Sequence, residues 1–186
     1  MLRRMIIPLA KGLTKLLFRV KVTGIEKLPD GGYLIAANHL SFWDPVFIGA
    51  YLSKKKITFL AKDELFRFKP FGALITALGA VPVSRGVRDA SVVKNSVDIL
   101  KDNSVVCLFP EGTRIRNGKT AKPKKGAVRM ASMAGVPIVP VHLNANYKIF
   151  SKVIMTVGDP VSVPQSMTND EIGEKSIELM DLIYSL

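Results

Sequence analysis

The residues with the clearest chemical potential are His39 and Asp44, which follow the apolar segment 33–37. Histidine ordinarily titrates near pH 6.5, so it can accept a proton at neutral pH. In a helix, steps of about 100° would place the two side chains on different faces, so they can meet only where the chain turns. A strand-to-helix turn would let Asp44 bond one ring nitrogen and leave the other as a general base. The spacing alone also fits a buried structural histidine with Asp44 capping the next helix.

The elements that must position this pair alternate between short β-branched runs and longer helical patterns. The sequence predicts strands at 19–24, 33–37, 57–60, 80–83, 104–109, 138–143 and 152–157. It predicts helices at 42–52, 70–78, 89–101, 124–134 and 168–184. This alternation is typical of a single α/β domain with a largely parallel central sheet flanked by helices.

Polar clusters follow three of these strands, at residues 38–44, 84–88 and 110–116. Ligands of open α/β sheets bind outside the carboxyl ends of the strands. The order of the three clusters therefore predicts one shared cleft.

Four sequence blocks in order resemble the glycerophospholipid acyltransferase family, with the 1-acylglycerol-3-phosphate O-acyltransferase branch as the best match. The first is Asn38-His39 with Asp44, and the third is Phe-Pro-Glu-Gly-Thr-Arg at 109–114. Residues 79–85, Gly-Ala-Val-Pro-Val-Ser-Arg, resemble the second block, and residues 136–141, Val-Pro-Ile-Val-Pro-Val, resemble the fourth. The second block departs from the family at Val83-Ser84, where members often have an aromatic residue or Ile followed by Asp. That departure leaves the acceptor open.

The resemblance implies transfer of a fatty acyl group to the sn-2 hydroxyl of 1-acyl-glycerol-3-phosphate, giving phosphatidic acid. The donor would be acyl-CoA or acyl carrier protein, and no metal or bound cofactor is implied. His39 would act as general base and Asp44 would fix its tautomer. The main alternative is a related acyltransferase that takes glycerol 3-phosphate, another lysophospholipid or an amino-acid lipid.

The resemblance also implies a substrate-binding set: Arg85, Glu111, Gly112, Thr113, Arg114 and, as a further phosphate candidate, Lys62. Guanidinium groups grip phosphate oxygens bidentately, which favours Arg85 and Arg114 for the phosphate of the acceptor. Glu111 would contact the glycerol backbone or orient Arg114, and Gly112 would permit close backbone approach.

The composition indicates that the protein binds anionic partners. The 186 residues carry a formal net charge of +12, and 48% of them are hydrophobic, which excludes a disordered basic tail. The sequence has no basic-aromatic interleaved motif, so we expect no nucleic-acid partner; a non-catalytic lipid- or nucleic-acid-binding protein is the distant alternative. The single cysteine, Cys107, and the second histidine, His142, lie in apolar strands and are expected to be structural.

Residues 1–18 form an amphipathic helical pattern ahead of the predicted domain, 19–186. The predicted membrane-binding residues are Arg3, Arg4, Leu9, Lys11, Leu13, Lys15, Leu16 and Leu17. Such a helix can lie in the interface of an anionic membrane, or it can dock on the domain's own core, with Pro8 kinking it or marking its start. No window reaches the ~20 apolar residues of a membrane span. We therefore expect a peripheral or monotopic protein at the cytoplasmic face of the membrane, not a secreted one.

Overall fold

Helices and strands alternate along the chain in the computed structural model, which describes residues 2–83, 90–115 and 121–186. The helices are α1 (Leu2–Leu17), α2 (Asp44–Tyr51), α3 (Lys69–Ala77), α4 (Ala90–Lys101), α5 (Gly126–Ala134) and α6 (Asn169–Ser185). The strands are β1 (Arg19–Thr23), β2 (Tyr33–Ala37), β3 (Ile57–Lys62), β4 (Ala80–Val83), β5 (Val105–Leu108), β6 (Ile138–Ala145) and β7 (Lys152–Val157). Short 3-10 helices lie at Ile25–Lys27 and Asp63–Phe66.

The strands form one sheet in the order β1-β7-β6-β2-β5-β3-β4. All neighbouring pairs are parallel except β6 and β7. Strand β2 lies between β5 and β6, so the loop that follows it is flanked by the loops that follow its two neighbours. The predicted α/β fold with a largely parallel sheet is confirmed.

Side chains of β2 alternate between two hydrophobic cores, one on each face of the sheet. Tyr33, Ile35 and Ala37 contribute to the core that contains residues of α2. Leu34 and Ala36 contribute to the core filled by α4, α5 and α6. All five residues are buried, which is typical of a central parallel strand covered on both faces.

Helix α1 packs on the domain along one face and exposes a second apolar face. Thr14 is buried, its hydroxyl lies 3.3 Å from that of Tyr51 in α2, and Leu17 packs against the core. Pro8 lies inside the helix rather than at its start. The opposite face carries exposed apolar side chains: Met5 (72%), Leu9 (72%), Leu13 (45%) and Leu16 (70%). None of the helices in the described ranges is long and apolar enough to span a membrane.

Candidate active site

The loop after β2 is tied to β6 through Asn38. Its side-chain amide donates to the carbonyl of Leu143 at 2.9 Å and accepts from the Leu143 backbone N–H at 2.7 Å. Asn38 is fully buried, so both bonds are shielded from water. The loop therefore begins from a fixed point at the carboxyl end of the sheet.

His39 and Asp44 meet across the turn that connects β2 to α2. Nδ1 of His39 lies 2.8 Å from Oδ2 of Asp44. The backbone N–H groups of Leu40 and Ser41 also donate to Oδ2, each at 2.7 Å. The Asp44 side chain is 0% exposed and that of His39 is 17% exposed. The imidazole also stacks on Phe109, with ring centroids 4.1 Å apart.

This geometry assigns the histidine tautomer, because an ionised carboxylate can only accept hydrogen bonds. Nδ1 of His39 therefore carries the proton and donates a hydrogen bond to Asp44, and Nε2 carries the lone pair. The predicted turn and contact are present, and Asp44 also bonds the loop that leads into α2. This arrangement leaves Nε2 of His39 able to accept a proton.

The second oxygen of Asp44 accepts a hydrogen bond from the hydroxyl of Tyr147, which lies after β6. Burial, and next the negative charge of Asp44, raise the pKa of the Tyr147 hydroxyl. Tyr147 therefore stays protonated and remains a donor. With this bond both oxygens of the buried carboxylate have partners, as a buried charge requires.

Glu111 joins the loop after β5 to the loop after β2. Its Oε2 accepts from the backbone N–H of His39 at 2.6 Å, and its Oε1 accepts from the Tyr184 hydroxyl at 2.5 Å. The carbonyl of His39 in turn accepts from the Ile115 N–H at 2.8 Å. Glu111 is only 3% exposed, and this burial raises the pKa of its carboxyl. The backbone of His39 is thus held on both sides by residues 111–115.

Gly112 and Arg114 shape the rest of that loop. Gly112 has φ of +68°, a left-handed conformation that favours glycine, and a Cβ there would come within 3.2 Å of the Lys124 side chain. The Arg114 guanidinium lies 3.5 Å from the centre of the Phe42 ring, a cation–π contact to the loop of His39. Thr113 is exposed beside it. Their predicted roles in substrate binding stay predictions.

Of the other two predicted phosphate ligands, Lys62 and Arg85, the structure describes only Lys62. Lys62 ends β3, two strands from β2 in the sheet, and forms an ion pair with Glu64. Arg85 lies outside the described residues. Its role in binding phosphate stays a prediction.

Two further side chains with reactive groups, Cys107 and His142, lie in strands of the sheet. Cys107 is buried in β5, and burial raises the pKa of its thiol. His142 is half-buried, its ring centroid is 5.8 Å from that of Tyr184, and burial lowers its pKa. In the part of the chain that the structure describes, no cluster of three or more His, Cys, Asp or Glu residues is arranged to hold a metal ion.

Three residues that the structure places in the site were assigned no role from the sequence. Asn38 was part of a motif but had no assigned task, although it fixes the start of the loop. Tyr147 follows the end of β6, so the rule that ligands bind at strand ends could have found it. Tyr184 lies near the end of α6, and no local pattern links it to Glu111, 73 residues away.

Of the predicted membrane-binding residues, Leu9, Leu13 and Leu16 lie on the exposed face of α1, whereas Leu17 packs inward. Lys15 is exposed, and Lys11 lies 5.3 Å from the centre of the Tyr51 ring. The side chains of Arg3 and Arg4 lie outside the described part of the structure. Helix α1 thus docks on the domain along one face, and the interfacial role of its exposed face stays a prediction.

Known proteins show the same sequence pattern. A sequence model of the acyltransferase family matches residues 19–144. The 1-acyl-sn-glycerol-3-phosphate acyltransferase of Bacillus subtilis (strain 168) is 32% identical over 148 residues, which cover 76% of this chain and 73% of that protein. The protein of that name from Streptococcus pneumoniae is 34% identical over 156 residues, or 78% of this chain and 57% of the relative.

A solved structure shows the same fold. The crystal structure of the 1-acyl-sn-glycerophosphate (LPA) acyltransferase from Thermotoga maritima matches with a TM-score of 0.73 and 26% identity, covering 97% of this chain and 80% of that one. The chain thus spans most of the Bacillus and Thermotoga proteins but little more than half of the Streptococcus protein. These matches confirm the resemblance carried by the four blocks. The chain belongs to the acyltransferase family and is an enzyme similar to its 1-acylglycerol-3-phosphate O-acyltransferases.

Proposed function

We propose that this enzyme transfers a fatty acyl group from a thioester to the sn-2 hydroxyl of 1-acyl-glycerol-3-phosphate. The single observation that carries the proposal is the contact of 2.8 Å between Nδ1 of His39 and Oδ2 of Asp44, within the matched family region. The names of the relatives from Bacillus subtilis and Streptococcus pneumoniae support the choice of acceptor. The donor is acyl-CoA or acyl carrier protein.

In the proposed reaction, Nε2 of His39 removes the proton of the acceptor hydroxyl as its oxygen attacks the thioester carbonyl. The carbon–sulfur bond then breaks, and the thiolate leaves with the proton that His39 returns. Asp44 stabilises the imidazolium that forms between these steps. Such general base catalysis is worth roughly 10²–10⁴ in rate, and the alignment of both substrates supplies more.

The phosphate of the acceptor is proposed to bind the basic side chains around this site. The Arg114 guanidinium lies over the ring of Phe42, which belongs to the same loop as His39, so its charge lies beside that loop. Lys62 at the end of β3, and Arg85 after β4, complete the proposed set. A guanidinium can bond two phosphate oxygens at once, which gives arginine the orienting role.

Association with the surface of an anionic membrane is part of the proposal, because both the acceptor and the product are lipids. The exposed apolar face of α1, with Lys15 beside it, supports it. We propose that the protein binds the cytoplasmic face peripherally.

A panel of acceptors and donors tests the proposed function. Purified protein is incubated with lysophosphatidic acid, glycerol 3-phosphate or lysophosphatidylcholine, each with acyl-CoA and with acyl carrier protein, and products are identified by mass. We expect phosphatidic acid from lysophosphatidic acid at a rate at least about tenfold above the other acceptors, since an enzyme separates substrates by kcat/KM. A preference for another acceptor would overturn the proposed substrate but keep the family reaction.

A further inference from the structure

The connection between β6 and β7 carries two large apolar side chains at its tip. Ile149 and Phe150 are 64% and 66% exposed. The turn itself is ordered by backbone bonds, because the Ser151 N–H donates to the Lys148 carbonyl at 3.0 Å. Single exposed hydrophobic residues are common, whereas adjacent ones form an apolar patch that indicates a binding surface.

This turn is joined to the end of α1. The Phe150 N–H donates to the carbonyl of Leu17 at 2.6 Å, and the Arg19 N–H donates to the carbonyl of Ser151 at 2.9 Å. Leu16, which belongs to the exposed apolar face of α1, immediately precedes the residue that Phe150 bonds. The tip of the turn and the exposed face of α1 are therefore neighbours.

The charged residues in the two segments that carry these features all have one sign. Residues 1–25 and 145–158 contain no Asp or Glu. Their exposed basic side chains include Lys11, Lys15, Arg19, Lys148 and Lys152. Apolar side chains among cations match the interface of an anionic bilayer, whereas pairing of this surface with a second copy would bring like charges together.

We propose that residues 146–151 form a second membrane-insertion element, which acts with the exposed face of α1 to dock the protein on an anionic lipid bilayer. The same turn carries Tyr147, whose hydroxyl bonds Asp44. Docking thus places a residue that supports the proposed base beside the lipid surface. The inference rests on the membrane association in the proposed function, but its test needs no catalysis.

A fluorescent label at the tip tests insertion directly. Cys107 is 1% exposed, so Ile149→Cys provides a single reactive thiol for an environment-sensitive dye. The control is Met133→Cys in α5, which is 52% exposed and lies on the helix layer opposite α1. With vesicles of phosphatidylglycerol and phosphatidylcholine, we expect the label at 149 to shift to the blue and to be quenched by brominated lipid, and the label at 133 to do neither.

Two outcomes of that experiment would overturn the proposal. One is an unshifted label at 149 on protein that has bound the vesicles. The other is a shift that grows with protein concentration in the absence of vesicles, which would assign the tip to a second copy of the chain.

A pair of double variants measures how much the tip contributes. Ile149→Ser with Phe150→Asn removes the apolar tip, and asparagine suits the φ of +64° at position 150. Met133→Ser with Ile177→Ser is the matched control, since Ile177 is 47% exposed on α6. In vesicle flotation we expect the tip variant to lose at least about tenfold in partitioning, given the apolar area involved, and the control to bind as the parent does. Equal binding by both folded variants would contradict the proposal whether or not the enzyme is active.

Discussion

The backbone N–H of His39 donates to Oε2 of Glu111 at 2.6 Å, across 72 residues of sequence. The bond joins the loops that follow two neighbouring strands, β2 and β5. Because Glu111 is buried and its other oxygen accepts from Tyr184, it has the contacts of a residue that positions the proposed base. These contacts support a different task from the predicted ones, contact with the glycerol backbone or orientation of Arg114, which stay predictions.

Replacement of Glu111 tests that positioning role. Glu111→Ala leaves the His39 N–H and the Tyr184 hydroxyl without their acceptor, and we expect it to lower the free energy of unfolding by about 1–3 kcal/mol. Glu111→Gln keeps an acceptor and should cost about 1 kcal/mol or less. Urea unfolding measures both, and kcat should fall further in the alanine variant. Equal activity in the two variants would argue that the carboxylate acts on substrate instead.

The raised pKa of Glu111 predicts how stability depends on pH. The folded protein binds a proton at this carboxyl more tightly than the unfolded chain does, since burial raises its pKa above the ordinary 4.5. The resulting stabilisation is complete at low pH and is lost as pH rises through the raised pKa. We therefore expect the parent's unfolding free energy, relative to Glu111→Gln, to be highest below about pH 4.5 and to decline at higher pH. Urea unfolding across a pH series measures this difference in unfolding free energy between the parent and Glu111→Gln. A difference that grows with pH would contradict the raised pKa of Glu111.

Tyr147 is predicted to hold Asp44 rather than to contact substrate. Tyr147→Phe removes the donor to Oδ1 of a fully buried carboxylate, and we expect kcat to fall on the order of tenfold through misplacement of His39. The NMR signal of the His39 Nδ1 proton should move as well, which a purely structural loss would not cause. Tyr51→Phe is the control, because that hydroxyl shares a bond of 3.3 Å with Thr14 in α1 instead. Full activity with an unmoved proton signal in Tyr147→Phe would exclude the positioning role.

Most elements of the fold could be predicted because they depend on local patterns. All seven strands lie where the apolar runs predict them, although β6 continues to Ala145 because its last residues pair with β7. Helix α2 begins at Asp44 rather than Phe42, since the Asp44 carboxylate holds residues 40 and 41 in a turn ahead of it. The antiparallel pairing of β6 with β7 was also predictable, because their short connection leaves no room for a crossover.

The candidate site was predictable only in part. The contact of His39 with Asp44 needs only one turn of a short segment, so the spacing allowed it, and the resemblance to the family favoured it over a structural histidine. The bonds from Tyr147 to Asp44 and from Tyr184 to Glu111 join residues 103 and 73 positions apart, and they depend on the strand order. The hydrophobic periodicity of a single sequence does not determine the order of the strands in the sheet.

Arg114 is predicted to recognise the phosphate of the acceptor. Arg114→Lys keeps the charge but loses bidentate bonding and the contact of the guanidinium with the Phe42 ring, so we expect KM for lysophosphatidic acid to rise about tenfold with kcat changed less than about twofold. Arg129→Lys is the control, since that guanidinium bonds Asn169 on α6. Steady-state kinetics with varied acceptor measure both. An unchanged KM in Arg114→Lys would remove this residue from the phosphate site.

The most direct measurement is the rate of phosphatidic acid formation, by product mass, in His39→Ala and His39→Gln beside the control His142→Gln. With His39 as the general base, both substitutions should lower kcat by roughly 10²–10⁴ while the thermal unfolding of the variants shows that they remain folded. The control should keep activity near that of the parent, because His142 lies outside the contact between His39 and Asp44. A folded His39→Ala variant that forms phosphatidic acid at the parent's rate would contradict the assignment of His39 as the base.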